Sequence, residues 1–263
     1  MINESLCLAL YAWAACAFIM VCVWFWAWSI NNAGVVDIFW AFNFTVIALL
    51  VYFLGTGNPE RKILSAGLLL IWSLRLGIYL LIRVGSHLKE EEGRYKALRN
   101  DWAPNANTKF FIFFQMQAVS NIFLAIPFFL MAANGMAEIC VFEMAGALIT
   151  GIAILGEGIA DFQLKQFKSN PANKGKVCQA GLWNYSRHPN YFFQLLLWVG
   201  VFVMALATPY GWVSIVCPLS IGYLIFKVTG IPMTEEQALR SKGEAYKEYQ
   251  RTTSVFIPWF KKS

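Results

Sequence analysis

Leu6-Cys7-Leu8-Ala9-Leu10-Tyr11-Ala12-Trp13-Ala14-Ala15-Cys16-Ala17-Phe18-Ile19-Met20-Val21-Cys22-Val23-Trp24-Phe25-Trp26-Ala27-Trp28-Ser29-Ile30 carries no charge. A helix needs roughly 20 consecutive apolar residues to cross about 30 Å of hydrocarbon, so this run is long enough to span a bilayer. It does not read as a secretory signal. Glu4 is the only charge before it, there is no basic lead, and it is longer than a signal core and lacks a small-residue cleavage site. We read it as a retained first helix. The composition agrees: the chain is 58% hydrophobic and 14% charged, against about 25% charged in a soluble domain. A soluble fold of 263 residues cannot hide that much apolar surface.

Working outward, apolar runs recur at 34–54, 63–83, 109–132, 139–161, 190–208 and 211–230. Turn chemistry separates them: Asn31-Asn32-Ala33-Gly34, Gly55-Thr56-Gly57-Asn58-Pro59, Ala133-Asn134-Gly135 and Thr208-Pro209-Tyr210-Gly211. The pattern predicts an all-α polytopic membrane protein with about seven transmembrane helices and a polar C-terminal tail, in one membrane-embedded domain over 1–263. The six cysteines include no C-x-x-C pair and no Cys/His cluster, so no disulfide framework or metal site is expected. Cys178, in a polar loop, reads as a small loop residue rather than a reactive thiol.

Charge sets the orientation. Arg83, Lys89, Arg94, Lys96, Arg99 and Lys109 fall between the third and fourth runs; Lys165, Lys168, Lys174, Lys176 and Arg187 between the fifth and sixth. Lys227, Arg240, Lys242, Lys247, Arg251, Lys261 and Lys262 close the chain. With seven crossings these segments share one face, and the positive-inside rule makes it cytoplasmic and puts the N-terminus outside. Only Arg61, Lys62 and Arg75 fall elsewhere. Topology does not account for the ionisable residues placed in or at the ends of apolar helices: Asp37, Arg75, Glu157 and Asp161. Each costs about 2.5–3.5 kcal/mol at membrane depth unless it pairs or lines a polar cavity. Glu157 and Asp161, four apart, share a helical face and need a cation or donor between them. Arg75 fits an internal salt bridge equally well. The tryptophans of the first two runs read as an interfacial belt, and His87 as a solvated loop residue.

The stretch richest in chemistry is Gly181-Leu182-Trp183-Asn184-Tyr185-Ser186-Arg187-His188-Pro189-Asn190-Tyr191-Phe192. It gathers a cation, amides and flat rings at the start of the sixth run, after a lysine-rich loop. A helix N-terminus offers free N–H groups to anions, and arginine adds a bidentate fork. That describes a nucleotide cradle at the membrane boundary; an aromatic and basic anchor belt would use the same residue types.

Arg187-His188-Pro189-Asn190-Tyr191 resembles the R-H-P-N-Y signature of membrane reductases and methyltransferases. The C-terminal half resembles the steroid 5-alpha-reductase family, in its bacterial-type (DUF1295-like) branch. The resemblance covers Glu157-x3-Asp161, Phe167-Lys168, Gly181 to Phe192, Gly230-Ile231-Pro232 and Tyr246 to Trp259. Upstream it extends to Val36-Asp37-Ile38-Phe39-Trp40 and Leu74-Arg75-Leu76-Gly77-Ile78-Tyr79-Leu80. It implies seven transmembrane helices, NADPH as cofactor, and reduction of an activated C=C bond in a hydrophobic substrate such as a 3-oxo-4-ene steroid. It makes 1–132 mainly the substrate side and 133–263 mainly the cofactor-binding half. For the cofactor it implies Glu157, Asp161, Lys168, Lys176, Tyr185, Arg187, His188, Asn190 and Tyr191, with Arg240, Tyr246 and Tyr249 closing over it. Lys168 and Lys176 stand where the steroid enzymes carry arginines, and lysine lacks the planar fork. Gln194 replaces a glutamate of the pattern. For catalysis it implies Tyr79 as the donor to the substrate carbonyl with Asp37 as its partner, a donor being what a developing enolate requires. Trp40 and Arg75 fall on the substrate side.

The rival reading is an S-adenosylmethionine-dependent methyltransferase of the isoprenylcysteine or phospholipid type, which shares the Arg-His-Pro-x-Tyr element. A transporter is a third, but neither an internal repeat nor paired broken helices are visible. The expected partners are a hydrophobic small molecule entering from the bilayer and the lipid itself, with no nucleic acid. The bacterial-type motifs point to an inner membrane, with the endoplasmic reticulum as the alternative.

Overall fold

Lipid offers a backbone no hydrogen-bond partner, so a spanning chain must satisfy itself as helix. The computed structural model describes residues 1–91 and 93–261; Lys262 of the basic tail lies outside the described residues. The described residues form ten α-helices, in order α1 Ile2–Ile30, α2 Val35–Leu54, α3 Pro59–Gly85, α4 Gly93–Asp101, α5 Ala106–Ala132, α6 Val141–Ser169, α7 Pro189–Ala205, α8 Val216–Tyr223, α9 Ile231–Lys242 and α10 Glu244–Thr252. Among the described residues there is no strand, only an isolated bridge between Ser186 and Ser254.

Among the described residues, six stretches are long and apolar enough to cross a membrane: α1, α2, α3, α5, α6 and Gly211–Lys242. The remaining expected crossing is α7, with 17 residues. That is a rise of about 26 Å, the short limit for a span. The last stretch is not one regular helix. It opens as a 3-10 turn (Gly211–Ile215), continues as α8, and closes as a π turn over Leu224–Val228 before α9. The Thr229 and Gly230 amides both reach back to Leu224 O. A Cβ on Gly230 would lie 2.5 Å from Ile225 O, so only glycine fits there. The apolar part ends at this break, and α9 carries Glu235, Glu236, Arg240 and Lys242 in water-facing chemistry.

The chain divides into two compact units, Met1–Cys140 with Thr208–Gly211, and Val141–Ala207 with Trp212–Ser263. In the first, the 31–34 turn meets the segment after α3: Asn32 Nδ2 donates to Leu88 O at 3.0 Å, and the Ala33 amide to Glu91 Oε1 at 2.8 Å. At the unit's other end, Asn58 caps α3 by accepting from the Glu60 and Arg61 amides. The buried Arg61 guanidinium donates there to Asn134 O, Met136 O and Glu138 O. That accounts for a basic residue lying off the basic face: it binds backbone carbonyls, not lipid head groups. In the second unit α6 and α7 pack at glycine. A Cβ on Gly146 would lie 2.5 Å from Gly200 O, and one on Gly200 the same distance from Thr150 Oγ1. This close approach fixes α7 against the face of α6 that carries Glu157 and Asp161. Each unit gathers its basic segments at one end.

Candidate functional site

In the second unit, Trp183 Nε1 donates to Ala160 O at 2.9 Å, and the Leu182 amide to Gln163 Oε1 at 2.8 Å. These bonds dock the Gly181–Asn184 turn on α6. Pro189 then starts α7 with φ already set for a helix. The chain between them is held from behind by the C-terminal segment: the Arg187 amide donates to Ser254 O at 2.9 Å and Ser186 Oγ to Phe256 O at 2.7 Å. Tyr249 Oη donates to Trp183 O and Ser186 O. Tyr249 is therefore a buried brace under the motif, and burial pushes its hydroxyl well above the usual range.

Glu235 on α9 is the hub. Its Oε1 accepts from Arg187 Nε at 2.7 Å and lies 3.2 Å from His188 Nε2; its Oε2 accepts from Gln250 Nε2 at 2.7 Å. Arg187 Nη1 also donates to Gln250 O and Thr253 O. Burial alone would raise the Glu235 carboxyl, but the hydrogen bonds from His188, Arg187 and Gln250 outweigh it and hold it down at about 2. Tyr246 is buried beside it, its hydroxyl pushed up first by burial and then by that carboxylate. The His188 and Tyr191 rings stack 5.4 Å apart, and Tyr191 Oη lies 3.1 Å from Thr234 Oγ1. Arg187, His188, Tyr191, Tyr246 and Tyr249 thus come together, organised by a glutamate that sequence reading passed over.

Asn190, in the first turn of α7, holds its Oδ1 buried with no hydrogen-bond partner among the described residues. A buried acceptor left unmatched costs about 1–3 kcal/mol, so the atom fits a ligand that donates to it. Glu157 and Asp161 are both buried, one turn apart on α6. Oriented to satisfy its neighbours, the Gln194 amide donates to Glu157 Oε1 at 2.9 Å and Oε2 at 3.3 Å, and accepts from Trp198 Nε1 at 3.2 Å. A glutamate at 194 could face Glu157 in this way only if one of the two carboxyls carried a proton. Gln194 therefore presents a neutral donor to the Glu157 carboxylate.

The lysines lie outside the Glu235 cluster's hydrogen bonds. Lys168 is exposed and Lys242 half-buried; burial and then the Lys168 charge lower the Lys242 ammonium. Among the described residues neither takes a carboxylate partner. Lys176 and Tyr185 are exposed, and Arg240 sits outside the cluster in an exposed pair with Glu236. Cys178 is buried beside Lys168 and Lys242 and its thiol is raised, chiefly by burial.

In the first unit, Asp37 accepts from Tyr95 Oη at 2.7 Å and from Arg94 Nη2 at 3.1 Å, with Arg83 at 4.0 Å. Tyr95 is fully buried, and burial, then the Asp37 charge, drive its hydroxyl far above the usual range. Beside it Glu91 grips Arg99 through two bonds. Its carboxyl, which burial alone would raise, is held low by Arg99 and the Ala33 amide. Tyr79 and Arg75 occupy half-buried positions one turn apart on α3. Trp40 Nε1 donates to Ser120 Oγ at 2.9 Å, and its ring meets Phe44 edge-on.

The model of the family described as "Protein of unknown function (DUF1295)" matches residues 23–253. The chain belongs to the DUF1295 family. A 46-residue stretch of this DUF1295 chain is 41% identical to the "Probable O-methyltransferase ustE" of Ustilaginoidea virens, covering 18% of the chain and 16% of that protein. No solved structure matches. The DUF1295 match takes in both the Asp37 cluster and the Arg187–Glu235 cluster.

Proposed function

We propose that this protein is a membrane-embedded, NADPH-dependent reductase of the activated C=C bond of a hydrophobic enone, with a 3-oxo-4-ene steroid as the model substrate. The observation that carries the reading is the buried, unmatched Asn190 Oδ1 in the turn that follows the Arg187–His188–Glu235 cluster. Such an acceptor suits a carboxamide or a ribose hydroxyl, and Glu157 and Asp161 offer further acceptors for the same donors. Lys168, Lys176 and Lys242 supply charge for phosphates. NADPH, when bound, supplies the hydride. The chain's own part is to hold the dinucleotide with these residues and, through Tyr79, to donate a hydrogen bond to the substrate carbonyl as enolate charge develops. Asp37 organises the cytoplasmic end of the early helices through Tyr95 and Arg94. On this reading the basic ends face the cytosol, the host is a bacterial inner membrane, and the substrate enters from the bilayer.

The match to a probable O-methyltransferase favours a second reading, in which the same acceptors bind S-adenosylmethionine. Thermal unfolding of the detergent-purified protein with NADPH, NADH or S-adenosylmethionine separates the two, because a ligand of the native state raises apparent stability by RT ln(1 + [L]/Kd). Stabilisation by NADPH that disappears in Asn190→Ala is the expected result. Stabilisation by S-adenosylmethionine alone would overturn the reductase assignment.

A further inference from the structure

The segment after α10 is neither helix nor ordinary loop. From Thr253 to Trp259 its side chains alternate: Thr253 is buried and Ser254, Phe256 and Pro258 are half-buried, while Val255, Ile257 and Trp259 point out. The outward residues are all apolar. Ile257 is 60% exposed, Trp259 68% and the adjoining Phe260 73%. A contiguous apolar face of this kind is not left in water by a stable protein.

Its depth is fixed by its inward contacts. Phe256 packs on Phe192, in the first turn of α7, with ring centroids 5.6 Å apart. It packs equally on Phe226, in the π turn that closes the preceding span, at 4.7 Å. The strap therefore lies at the level where two apolar segments meet the polar side. Aromatic rings and lysines surround it: Phe260 meets the exposed Tyr185 ring edge-on, and Lys227 and Lys261 are exposed at the same end. Tyrosine, tryptophan and lysine at the end of a span are the chemistry of the head-group boundary. The backbone is partly satisfied there, since the Trp259 amide donates to Tyr185 O at 2.9 Å.

We propose that Val255–Phe260 is a lipid-interface anchor, its outward side chains seated among the head groups and upper acyl chains, and that this seat holds the Ser186–Arg187 backbone in place. The coupling runs through bonds already described: the strap carries the acceptors for the Arg187 amide and for Ser186 Oγ. The partner is the bilayer surface, and the inference stands whichever cofactor the protein takes.

The test uses the full-length chain in phospholipid nanodiscs, with Cys7, Cys22 and Cys140 replaced by serine so that the remaining native cysteines are buried. A fluorophore is placed by Ile257→Cys, Trp259→Cys or, for comparison, Lys247→Cys on α10. A lipid carrying a quencher high on its acyl chain is expected to quench positions 257 and 259 several-fold more than aqueous iodide does, with the order reversed at 247. Iodide reaching 257 and 259 as readily as 247 would overturn the proposal. So would protection from both quenchers, which would mean that a second protein copy covers the strap. Hydrogen exchange of Tyr185–Arg187 reads the coupling separately. Ile257→Ser with Trp259→Ser is expected to accelerate it about tenfold in nanodiscs, and unchanged exchange would remove the link to the motif.

Discussion

The two basic ends are built from the same residue types and left in opposite states. Around Asp37 and Glu91 each carboxylate meets arginine or tyrosine at hydrogen-bond distance, and the charges are spent on one another. Around Arg187 the charges are also matched, but the account does not close. Among the described residues, Asn190 keeps a buried acceptor unmatched, and Lys168 and Lys242 stand near each other without a carboxylate partner. Matched charges lock a scaffold, whereas unmatched ones mark where something else is to bind. On the function proposed above, the first end is scaffold and the second is where the ligand binds.

The most severe way to break this contrast is Glu235→Ala, which strips the shared partner from Arg187, His188 and Gln250. Removing one member of a largely buried pair costs about 3–5 kcal/mol, so thermal unfolding in detergent is expected to collapse, with partial recovery in Glu235→Gln. Next, Asp37→Ala and Asn190→Ala should part company. The first strands the Tyr95 hydroxyl and costs about 1–3 kcal/mol of stability, while leaving the NADPH dissociation constant alone. The second removes an amide oxygen with no protein partner, so the fold should change by less than about 0.5 kcal/mol and NADPH binding weaken at least tenfold. Equal effects on both readouts in both variants would erase the distinction between the ends. Lys242→Gln is a milder probe: by relieving repulsion from Lys168 it should slightly raise stability without ligand and reduce the preference for NADPH over NADH several-fold.

The smallest effect is a pH dependence. Glu235 has a folded-state value near 2, below its unfolded value, so its contribution is complete above about pH 4.5 and fades as pH falls toward 2. The gap in unfolding temperature between the wild type and Glu235→Gln should be flat from pH 7 to 5 and narrow below that. A gap that widens in acid would mean that the carboxyl is not held down by its neighbours.

Much of the membrane architecture could be read directly because hydrocarbon imposes a length, and an uncharged run of that length has few other uses. The same logic leads to the expectation that α7 is a crossing, yet at 17 residues it is shorter than the six stretches long enough to span. What could not be read is pairing across sequence. Glu235 and Glu236 look alike on a polar helix, yet one holds His188 from 47 residues away and the other makes an exposed pair with Arg240. Arg240, expected to close over a nucleotide, and Tyr95, passed over in a charged loop, show the same limit from both sides. Gln194, read in the sequence only as standing in place of a glutamate, is a donor to Glu157, something visible only once α6 and α7 are packed.

The π turn at Leu224–Val228 gives the last span an odd step in its count. One residue corresponds to about 100° of helical rotation, so the extra residue sets the phase at which α9 emerges and with it the compass bearing of Glu235. Losing a single residue there would leave the apolar run almost as long and as oily as before, yet turn the hub away from Arg187 and His188. The membrane would accept that chain as readily as the original, and the site would be gone.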